Sequence, residues 1–360
     1  MRIAILTFIY TYNPGTTFQS FALQKAIESL SPGLECFILR QWNAKRKTPL
    51  FFRQPSWKTL KGWIYVSKSR NAHLRFANKH YHFYPDRPIY KKSDLDQLQN
   101  EFDKIIVGSD QVWNPEFCKE RPMRYFLDFV TDNNKKMSYG SSFGVAEVSN
   151  DLKEDILEYL GRFKYLSVRE EAGKNIIYNI LKREVPVVLD PTLLLKNEEW
   201  ASLAVQPKEK DYIFLYEAFQ NKAAEEFAKK LSDKTGLKII HKQVHDYQLK
   251  NKRKVWFMSP EEWLGYIMNA RYVVTTSFHG TAFSINMNKQ FFVLPKKETS
   301  SRQDTLLKKM GLENRKIDVT KALDDNYFDE IGDIDYSKVN PVLERERVNS
   351  MNYLRKIVLD

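Results

Sequence analysis

The stretch YVVTTSFHGTAFS, residues 272–284, decides the fold. A β-branched run at residues 272–276 meets a turn at residues 277–280, and an apolar stretch with helical character follows. Short apolar runs bounded by turn residues are typical of buried strands, so the pattern predicts a strand, a turn and a helix. Of the six histidines in the chain, only His279 is placed on such a turn.

The same alternation of strands and helices runs along the whole chain. Strands are predicted at residues 2–8, 35–41, 103–108, 135–142, 165–170, 185–190, 211–217, 237–242, 254–258, 272–277 and 290–295. Helices are predicted at residues 16–30, 150–162, 170–182, 220–234, 260–269, 280–288 and 302–310. This rhythm is typical of parallel sheets covered by helices on both faces. Two such runs in 360 residues predict an α/β protein of two doubly wound lobes with a cleft between them.

The predicted domain boundaries follow from this rhythm. Residues 1–184 are predicted to form an N-terminal lobe, with a basic and aromatic insertion at about 40–92, and residues 185–340 a C-terminal lobe. Residues 341–360 are amphipathic and are predicted to form a helix that packs back on the first lobe.

The chain carries an excess of positive charge. Its formal net charge is +12, which indicates anionic partners. Between Arg40 and Lys92 there are 14 lysines and arginines against one acid, Asp86, with aromatic residues interleaved. This combination suits an anionic membrane surface, and single-stranded nucleic acid less well. The alternative is a solvated helical insertion whose aromatic residues cover the core.

Several classes of protein are not expected from the sequence. The first strand is followed by YNPGTTF (12–18), without G-x-G-x-x-G, and the chain has no Walker sequence, so nicotinamide or nucleoside triphosphate chemistry is not expected. The start of the chain does not resemble a secretory leader, and no apolar run is long enough to span a bilayer. Cys36 and Cys118 are too few for a disulfide scaffold. These features predict a cytoplasmic protein.

A polar loop, GSDQVWNP (108–115), follows the predicted strand at 103–108. Ligands of open α/β sheets lie beyond the carboxyl ends of strands, which is where this loop begins. Asp110, Gln111 and Asn114 offer hydrogen-bonding groups, and Trp113 offers a stacking face for a sugar. The alternative is a helix N-cap with Trp113 in the core.

Two further strand ends carry charged residues. Arg169 in SVREEAG (167–173) is placed at a helix start, where an arginine can bind a carboxylate or phosphate in bidentate fashion. Its alternative role is an ion pair with a neighbouring acid. Asp190 in LDPTLLL (189–195) is expected at the junction of the lobes.

His279 is the candidate acid. Ser277 precedes it, and Gly280 and Thr281 follow, so an anion there would also meet helix N-terminal amides. The ordinary pKa of histidine suits general acid–base work, although a capping or structural histidine is the alternative. No other histidine has metal-ligand spacing with it, so no structural metal is predicted.

The stretch SSRQDTLLKKMGLENR (300–315) opens another predicted helix, with Ser300 and Ser301 as candidate N-caps. Arg302 stands in its first turn, where a cation opposes the helix dipole and needs a compensating acid or anion. Asp304 is one such acid, and a bound carboxylate or phosphate is the alternative.

The order of these motifs is distinctive. GSDQVWN, SVRE, LDPT, SFHGTAFS and SSRQDTLL…MGL, preceded by TTFQSFALQ (16–24), resemble the polysaccharide pyruvyl transferase family over residues 1–315. The resemblance implies two Rossmann-like lobes arranged as in GT-B glycosyltransferases, with the active site in the cleft. It also implies a bacterial enzyme of capsular or exopolysaccharide biosynthesis, with phosphoenolpyruvate as donor, phosphate as leaving group and a pyruvate ketal as product.

The resemblance implies roles for individual residues. His279 would assist departure of phosphate or protonate the enol carbon, and Arg169 would bind the carboxylate or phosphate of the donor. Asp110 is our candidate for accepting the proton of the attacking hydroxyl. Ser277, Gly280, Thr281, Ser301 and Arg302 are expected at the donor, and Gln111, Trp113 and Asn114 at the acceptor. No cofactor is expected beside the co-substrate, and Mg²⁺ stays an open option.

One position departs from the family pattern. Many members carry arginine two residues before the histidine, where this chain has Ser277. We expect Arg302 to supply the absent cation, with Lys296 and Lys297 as the next candidates.

The expected acceptor is a saccharide, and a polyprenyl-diphosphate carrier at the cytoplasmic face of the inner membrane would give the segment 40–92 a purpose. Under this interpretation nucleic acid is not a partner. Two alternatives stay open: a nucleotide-sugar glycosyltransferase on the same fold, and a non-catalytic basic protein that binds membrane or nucleic acid.

Overall fold

The computed structural model describes residues 1–9, 13–41, 57–89, 92–116, 124–244, 257–296, 300–318 and 330–360. Within these residues the chain forms two separate sheets, and every strand pair in both is parallel. The α/β class and the two doubly wound lobes expected from the sequence are confirmed.

The first sheet has five strands in the order β3-β2-β1-β4-β5. Its elements are β1 (Arg2–Leu6), α1 (Pro14–Glu28), β2 (Glu35–Gln41), α2 (Trp57–His80), β3 (Phe83–Ile89), α3 (Lys92–Leu98), β4 (Lys104–Val107), β5 (Lys136–Ser138), α4 (Asn150–Tyr159) and α5 (Glu171–Leu181). All four residues of β4 are buried, as expected for a strand covered on both faces.

The second sheet has four strands in the order β7-β6-β8-β9. Its elements, with the last helix of the chain, are α6 (Asn197–Ala201), β6 (Tyr212–Glu217), α7 (Lys222–Thr235), β7 (Lys238–Gln243), α8 (Pro260–Asn269), β8 (Tyr272–Thr275), α9 (Phe278–Asn286), β9 (Gln290–Val293), α10 (Ser301–Met310) and α11 (Tyr336–Leu359). The strand, turn and helix expected at residues 272–284 are β8, a short connection and α9.

Two predicted strands, 165–170 and 185–190, are wrong as regular strands. They pair with the first sheet only through single bridges, at Tyr165, Val168 and Val187. Serine hydroxyls supply part of the pairing instead: the Ser167 amide donates to Ser138 Oγ at 2.8 Å, and Ser167 Oγ donates to the Ser138 carbonyl at 3.0 Å. Such local side-chain bonds compete with a regular ladder. The predicted strand at 254–258 lies mostly outside the described residues.

Helix α9 begins at Phe278, two residues earlier than expected. Ser277 is its N-cap, because Ser277 Oγ accepts a hydrogen bond from the Gly280 amide at 3.3 Å. His279 therefore lies in the first helical turn rather than in a preceding loop.

The basic and aromatic insertion is described from Trp57 onward. Of its aromatic residues, Phe76 and Tyr81 are buried in the main apolar cluster, as the core-covering alternative expected of them. The side chains of Trp42, Phe51, Phe52, Trp57, Trp63, Tyr65 and Tyr90 lie outside the described residues. No helix in the described part of the chain is long and apolar enough to cross a membrane.

Helix α11 contacts the first sheet. The hydroxyl of Tyr353 donates to the Ser138 carbonyl at 3.1 Å, and Lys104 Nζ donates to the carbonyl of Ile357 at the same distance. The helix begins five residues before the predicted start and contains Pro341 in its interior.

Helix α1 belongs to the first lobe by connectivity but packs against the second. The ring of Phe18 lies 5.3 Å from Trp200, 6.1 Å from Trp263 and 5.6 Å from Phe283, measured between centroids. These rings join the core of both sheets in one apolar cluster. The contact between α1 and α9 also fixes the first turn of α9 relative to the first lobe.

Candidate active site

Five charged or titratable side chains meet where the two lobes face each other. Asp110 follows β4, Arg169 precedes α5, Asp190 caps a short 3-10 turn, and His279 and Arg302 lie in the first turns of α9 and α10. All five are at least nine-tenths buried. Their positions agree with the rule that polar sites of parallel sheets form beyond the carboxyl ends of the strands.

Arg169 is held between two carboxylates. Its Nη1 pairs with Asp190 Oδ2, and its Nη2 lies 3.4 Å from Asp110 Oδ1. Burial acts to lower the pKa of Arg169, but the two aspartates outweigh it and raise the pKa above its ordinary value. The positive charge of Arg169 is therefore already balanced by residues of the protein.

Asp190 is fully buried and accepts three kinds of donor. Its Oδ1 accepts from the Thr192 amide at 3.0 Å and from the Thr192 hydroxyl at 2.7 Å, while Oδ2 faces Arg169. Burial would raise the pKa of Asp190, but Arg169 and these hydrogen bonds lower the pKa far below its ordinary value. These contacts therefore favour the ionised form of Asp190.

Both carboxylate oxygens of Asp110 also accept hydrogen bonds within the protein. Thr16 Oγ1 donates to its Oδ2 at 2.9 Å, and the Gln111 amide donates to its Oδ1 at 2.8 Å. Burial would raise the pKa of Asp110, but the charges of Arg169 and Arg302 lower it. A carboxylate that already accepts these hydrogen bonds and has a lowered pKa is a weak proton acceptor, so these contacts do not favour the expected role of Asp110 as base.

His279 has one ring nitrogen that makes no hydrogen bond to the described residues. This atom, Nε2, is buried and lies within ion-pair distance of Asp190 Oδ2, at 3.7 Å. On its other side the ring lies against Gly15 in the first turn of α1, so closely that an added Cβ at Gly15 would come 2.5 Å from the His279 Cβ. The absence of a side chain at Gly15 lets the histidine occupy this position.

Arg302 is the one arginine of the cluster whose charge is not balanced by contact. Among the described residues, no carboxylate lies within ion-pair distance of it. Its two terminal nitrogens lie 3.1 and 3.2 Å from the side-chain amide of Gln111, which accepts from both when its oxygen faces them. Burial, and then the charge of Arg169, lowers the pKa of Arg302 to about 10, so it remains a cation at neutral pH.

Within the described part of the chain, three buried nitrogens of this cluster make no hydrogen bond: Arg169 Nε, Arg302 Nε and His279 Nε2. A buried polar group without a partner costs about 1–3 kcal/mol, so native proteins keep few of them. Two cationic donors and an imidazole left open together form a site with the chemistry of an anion receptor.

Three residues of the polar loop were expected at the acceptor. The prediction for Trp113 is wrong, because its side chain is fully buried among aromatic rings and offers no face to a sugar. Its Nε1 donates to the Tyr125 carbonyl at 2.9 Å. Gln111 and Asn114 contact each other at 2.7 Å.

The small residues around His279 serve the helix itself. Ser277 caps α9, Thr281 Oγ1 donates to the Ser277 carbonyl at 3.1 Å, and Gly280 leaves room for the Thr275 side chain. Ser301 is different, because its buried hydroxyl has no hydrogen-bond partner among the described residues. The role expected of Lys296 stays a prediction, and Lys297 lies outside the described residues.

Several site features escape the sequence patterns. Gly15, Thr16 and Phe278 contribute contacts although no role was expected of them from the sequence, and their only signal was that they lie in the quoted stretches YNPGTTF and SFHGTAFS. Glu170 accepts hydrogen bonds from Ser142 Oγ and two backbone amides, while its buried Oε2 has no hydrogen-bond partner among the described residues.

A separate group combines the last residue of β6 with one residue of α7 and one of β7. Glu217, Glu225 and His241 place potential ligand atoms within 4.8 Å of one another. Glu217 is fully buried, and its carboxylate accepts from the Asn221 amide at 2.8 Å and contacts His241 Nε2 at 2.5 Å. These contacts give the buried carboxylate its partners within the protein.

With the geometry established, similarity to known proteins decides the family. A family model described as polysaccharide pyruvyl transferase matches residues 13–296, more than three-quarters of the chain. The chain belongs to the polysaccharide pyruvyl transferase family. Four of the five cluster residues lie within the matched range, and Arg302 lies just beyond it. No curated protein matches the chain.

Solved structures of other proteins resemble the fold of this pyruvyl transferase family member. The UDP-GlcNAc 2-epimerase of Neisseria meningitidis bound to UDP-GlcNAc is 10% identical, with 98% of this chain and 100% of that chain covered and a TM-score of 0.51. MnaA of S. aureus in complex with UDP is 11% identical, with 100% and 98% covered and a TM-score of 0.53. At such identities the likeness shows the fold alone, which is the two-lobed GT-B arrangement.

Proposed function

We propose that this protein transfers the pyruvate unit of phosphoenolpyruvate to two hydroxyls of a saccharide, forming a ketal and releasing phosphate. The observation that carries the proposal is the buried cluster in which Arg302 keeps an unbalanced charge beside the open Nε2 of His279. The family assignment supports transfer of a pyruvyl group.

Arg302 is the proposed anion-binding cation. Arg169 already contacts Asp110 and Asp190, so a donor carboxylate or phosphate gains less from Arg169 than from Arg302. We therefore assign Arg169 chiefly to positioning the two aspartates, with its Nε as a secondary donor to the substrate. This assignment also gives Arg302 the task of the arginine that is replaced by Ser277.

His279 is the proposed acid. The ionised Asp190, 3.7 Å from Nε2, stabilises the protonated imidazole and orients it. In the first half of the reaction His279 transfers its proton to the methylene carbon of the enol, one sugar hydroxyl adds to the neighbouring carbon, and the proton of that hydroxyl returns to His279. In the second half the carbon–oxygen bond to phosphate breaks, the other hydroxyl adds, and its proton leaves with phosphate. No net proton is produced.

The acceptor and the place of the reaction belong to the proposal as well. We propose a saccharide on a polyprenyl diphosphate carrier at the cytoplasmic membrane face, as part of a bacterial capsular or exopolysaccharide pathway. The net charge of +12 supports an anionic carrier or surface. The proposal uses no cofactor, and Mg²⁺ is added in one arm of the experiment.

The test is incubation of the purified protein with phosphoenolpyruvate and candidate lipid-linked saccharides, followed by phosphate release and by the mass of the acceptor. His279→Gln should lower kcat by about a hundredfold or more. Arg302→Gln should chiefly raise KM for phosphoenolpyruvate, and Arg302→Lys should restore part of the loss because it restores the charge. The exposed residues His82 and Arg345 supply matched controls, His82→Gln and Arg345→Gln.

Two results would overturn the proposal. Thermal stabilisation by a nucleotide sugar but not by phosphoenolpyruvate would favour a glycosyltransferase on the same fold. Full activity of His279→Gln in cells, combined with loss of activity on charge reversal across residues 40–92, would favour a non-catalytic basic protein.

A further inference from the structure

One aromatic ring touches all three side chains that carry the proposed reaction. Phe278, the first residue of α9, is buried, and its ring centroid lies 4.5 Å from Arg169 Cζ and 5.6 Å from Arg302 Cζ. Its ring packs nearly perpendicular to the ring of His279, at a centroid distance of 5.3 Å and an interplanar angle of 79°. Phe278 lies within the motif SFHGTAFS, but the sequence assigned it no role in the site.

The ring of Phe278 lies beside two buried cations, Arg169 and Arg302, that repel each other. Two buried guanidinium groups stand close enough for the charge of Arg169 to lower the pKa of Arg302. Asp110 and Asp190 contact Arg169 but not Arg302. The face of an aromatic ring carries partial negative charge and attracts cations, so Phe278 stabilises both arginines at once.

A ring and a carboxylate would have different consequences in this place. A carboxylate beside Arg302 would neutralise it and compete with an anionic donor. The ring has no net charge, so it holds the guanidinium in position and leaves the full charge for the substrate. The ring of Phe278 also packs against His279 and limits the position of its imidazole.

We infer that Phe278 is a positioning residue: its π face sets the spacing of Arg169 and Arg302, and its contact with the imidazole sets the orientation of His279. The inference rests on the proposed function, since it concerns the same donor site. A purely structural role would require only the volume and apolar character of the side chain, whereas the inferred role requires the partial negative charge on the face of the ring.

The test separates volume from charge distribution. Phe278 is replaced by mono-, di- and trifluorophenylalanine, which nearly preserve its shape while progressively weakening the negative face. The dissociation constant for phosphoenolpyruvate, measured by calorimetry, should rise stepwise to about tenfold over the series. Phe283, buried in the same helix among Phe18, Trp200 and Trp263, receives the same series as the matched control and should show no trend.

Conventional variants provide a second measurement. Phe278→Trp and Phe278→Tyr retain an aromatic face and should bind phosphoenolpyruvate better than Phe278→Leu. In turnover, Phe278→Leu should raise KM for phosphoenolpyruvate several-fold and also lower kcat, because His279 loses its neighbour. If Phe278→Leu fails to fold, the fluorinated series still decides.

The outcomes are distinguishable. A wild-type protein that does not bind phosphoenolpyruvate refutes the proposed function. A wild-type protein that binds it, with equal affinity across the fluorinated series at Phe278, refutes the inference about the ring and leaves the proposed function standing. A parallel trend at Phe283 refutes the inference as well, because the effect would then come from general core polarity.

Discussion

The substitution Gly15→Ala tests the position of His279 without touching the histidine. Gly15 lies in the first turn of α1, and a Cβ there would come 2.5 Å from the His279 Cβ and closer still to Cγ and Nδ1 of the ring. Ordinary carbon contacts begin near 3.5 Å, so the ring or the helix must move by about 1 Å. His279 has little room to do so, because Phe278 packs against it.

The expected magnitudes follow from this displacement. Overpacking costs about 1–3 kcal/mol of stability, and the better helix propensity of alanine returns up to about 1 kcal/mol. Displacement of a catalytic group by about 1 Å lowers the rate about a hundredfold. Gly15→Ala should therefore reduce turnover far more than its modest change in stability explains.

The assay is phosphate release from phosphoenolpyruvate in the presence of acceptor, with thermal unfolding measured in parallel. Gly161→Ala is the matched control, since an added Cβ there would meet only Leu181 Cδ2 at 3.7 Å. Wild-type turnover in Gly15→Ala, at unchanged stability, would refute the claim that His279 must occupy its observed place.

Two further predictions concern stability. His73 is buried and contacts Thr17 Oγ1 at 2.7 Å, and burial, helped by Lys242, lowers its pKa from 6.5 to about 3. Below pH 6.5 His73 binds a proton in the unfolded chain but not in the folded protein. The free energy of unfolding should therefore fall by about 1.4 kcal/mol per pH unit, or about 2 kcal/mol at pH 5. Urea unfolding at pH 7 and pH 5 measures this loss, and an undiminished loss in His73→Gln would contradict the assignment. Asp190→Asn keeps the acceptor for Thr192 but breaks the buried pair with Arg169, so it should cost about 3–5 kcal/mol. Thermal unfolding against the exposed control Asp335→Asn checks this, and equal melting temperatures would refute it.

Much of the fold could be predicted from the sequence, because its elements follow from local patterns. β6 and β8 are short apolar runs, and α8 follows its N-cap Ser259, with Glu262 completing a capping box. The pattern failed at residues 165–170, where Ser167 and Ser138 exchange hydrogen bonds that no hydrophobic period encodes.

The sequence could predict which residues form the site but not which of their charges contact each other. Asp110, Arg169 and His279 stand at strand ends or helix starts, which local sequence reveals. That Arg169 is balanced by Asp110 and Asp190, leaving Arg302 as the open cation, depends on contacts between residues far apart in the chain. Trp113 shows the reverse case, since its neighbours in the polar loop suggested exposure and the surrounding rings bury it.

The contact of Phe18 with the second lobe bears on how the molecule unfolds. Its apolar cluster contains residues of both sheets, among them Ile5 of β1, Phe214 of β6 and Leu354 of α11. A lobe separated from the other would lose part of its own interior and expose the tryptophans that surround Phe18. The two lobes are thus distinct in topology but share one apolar interior, so we expect them to unfold together.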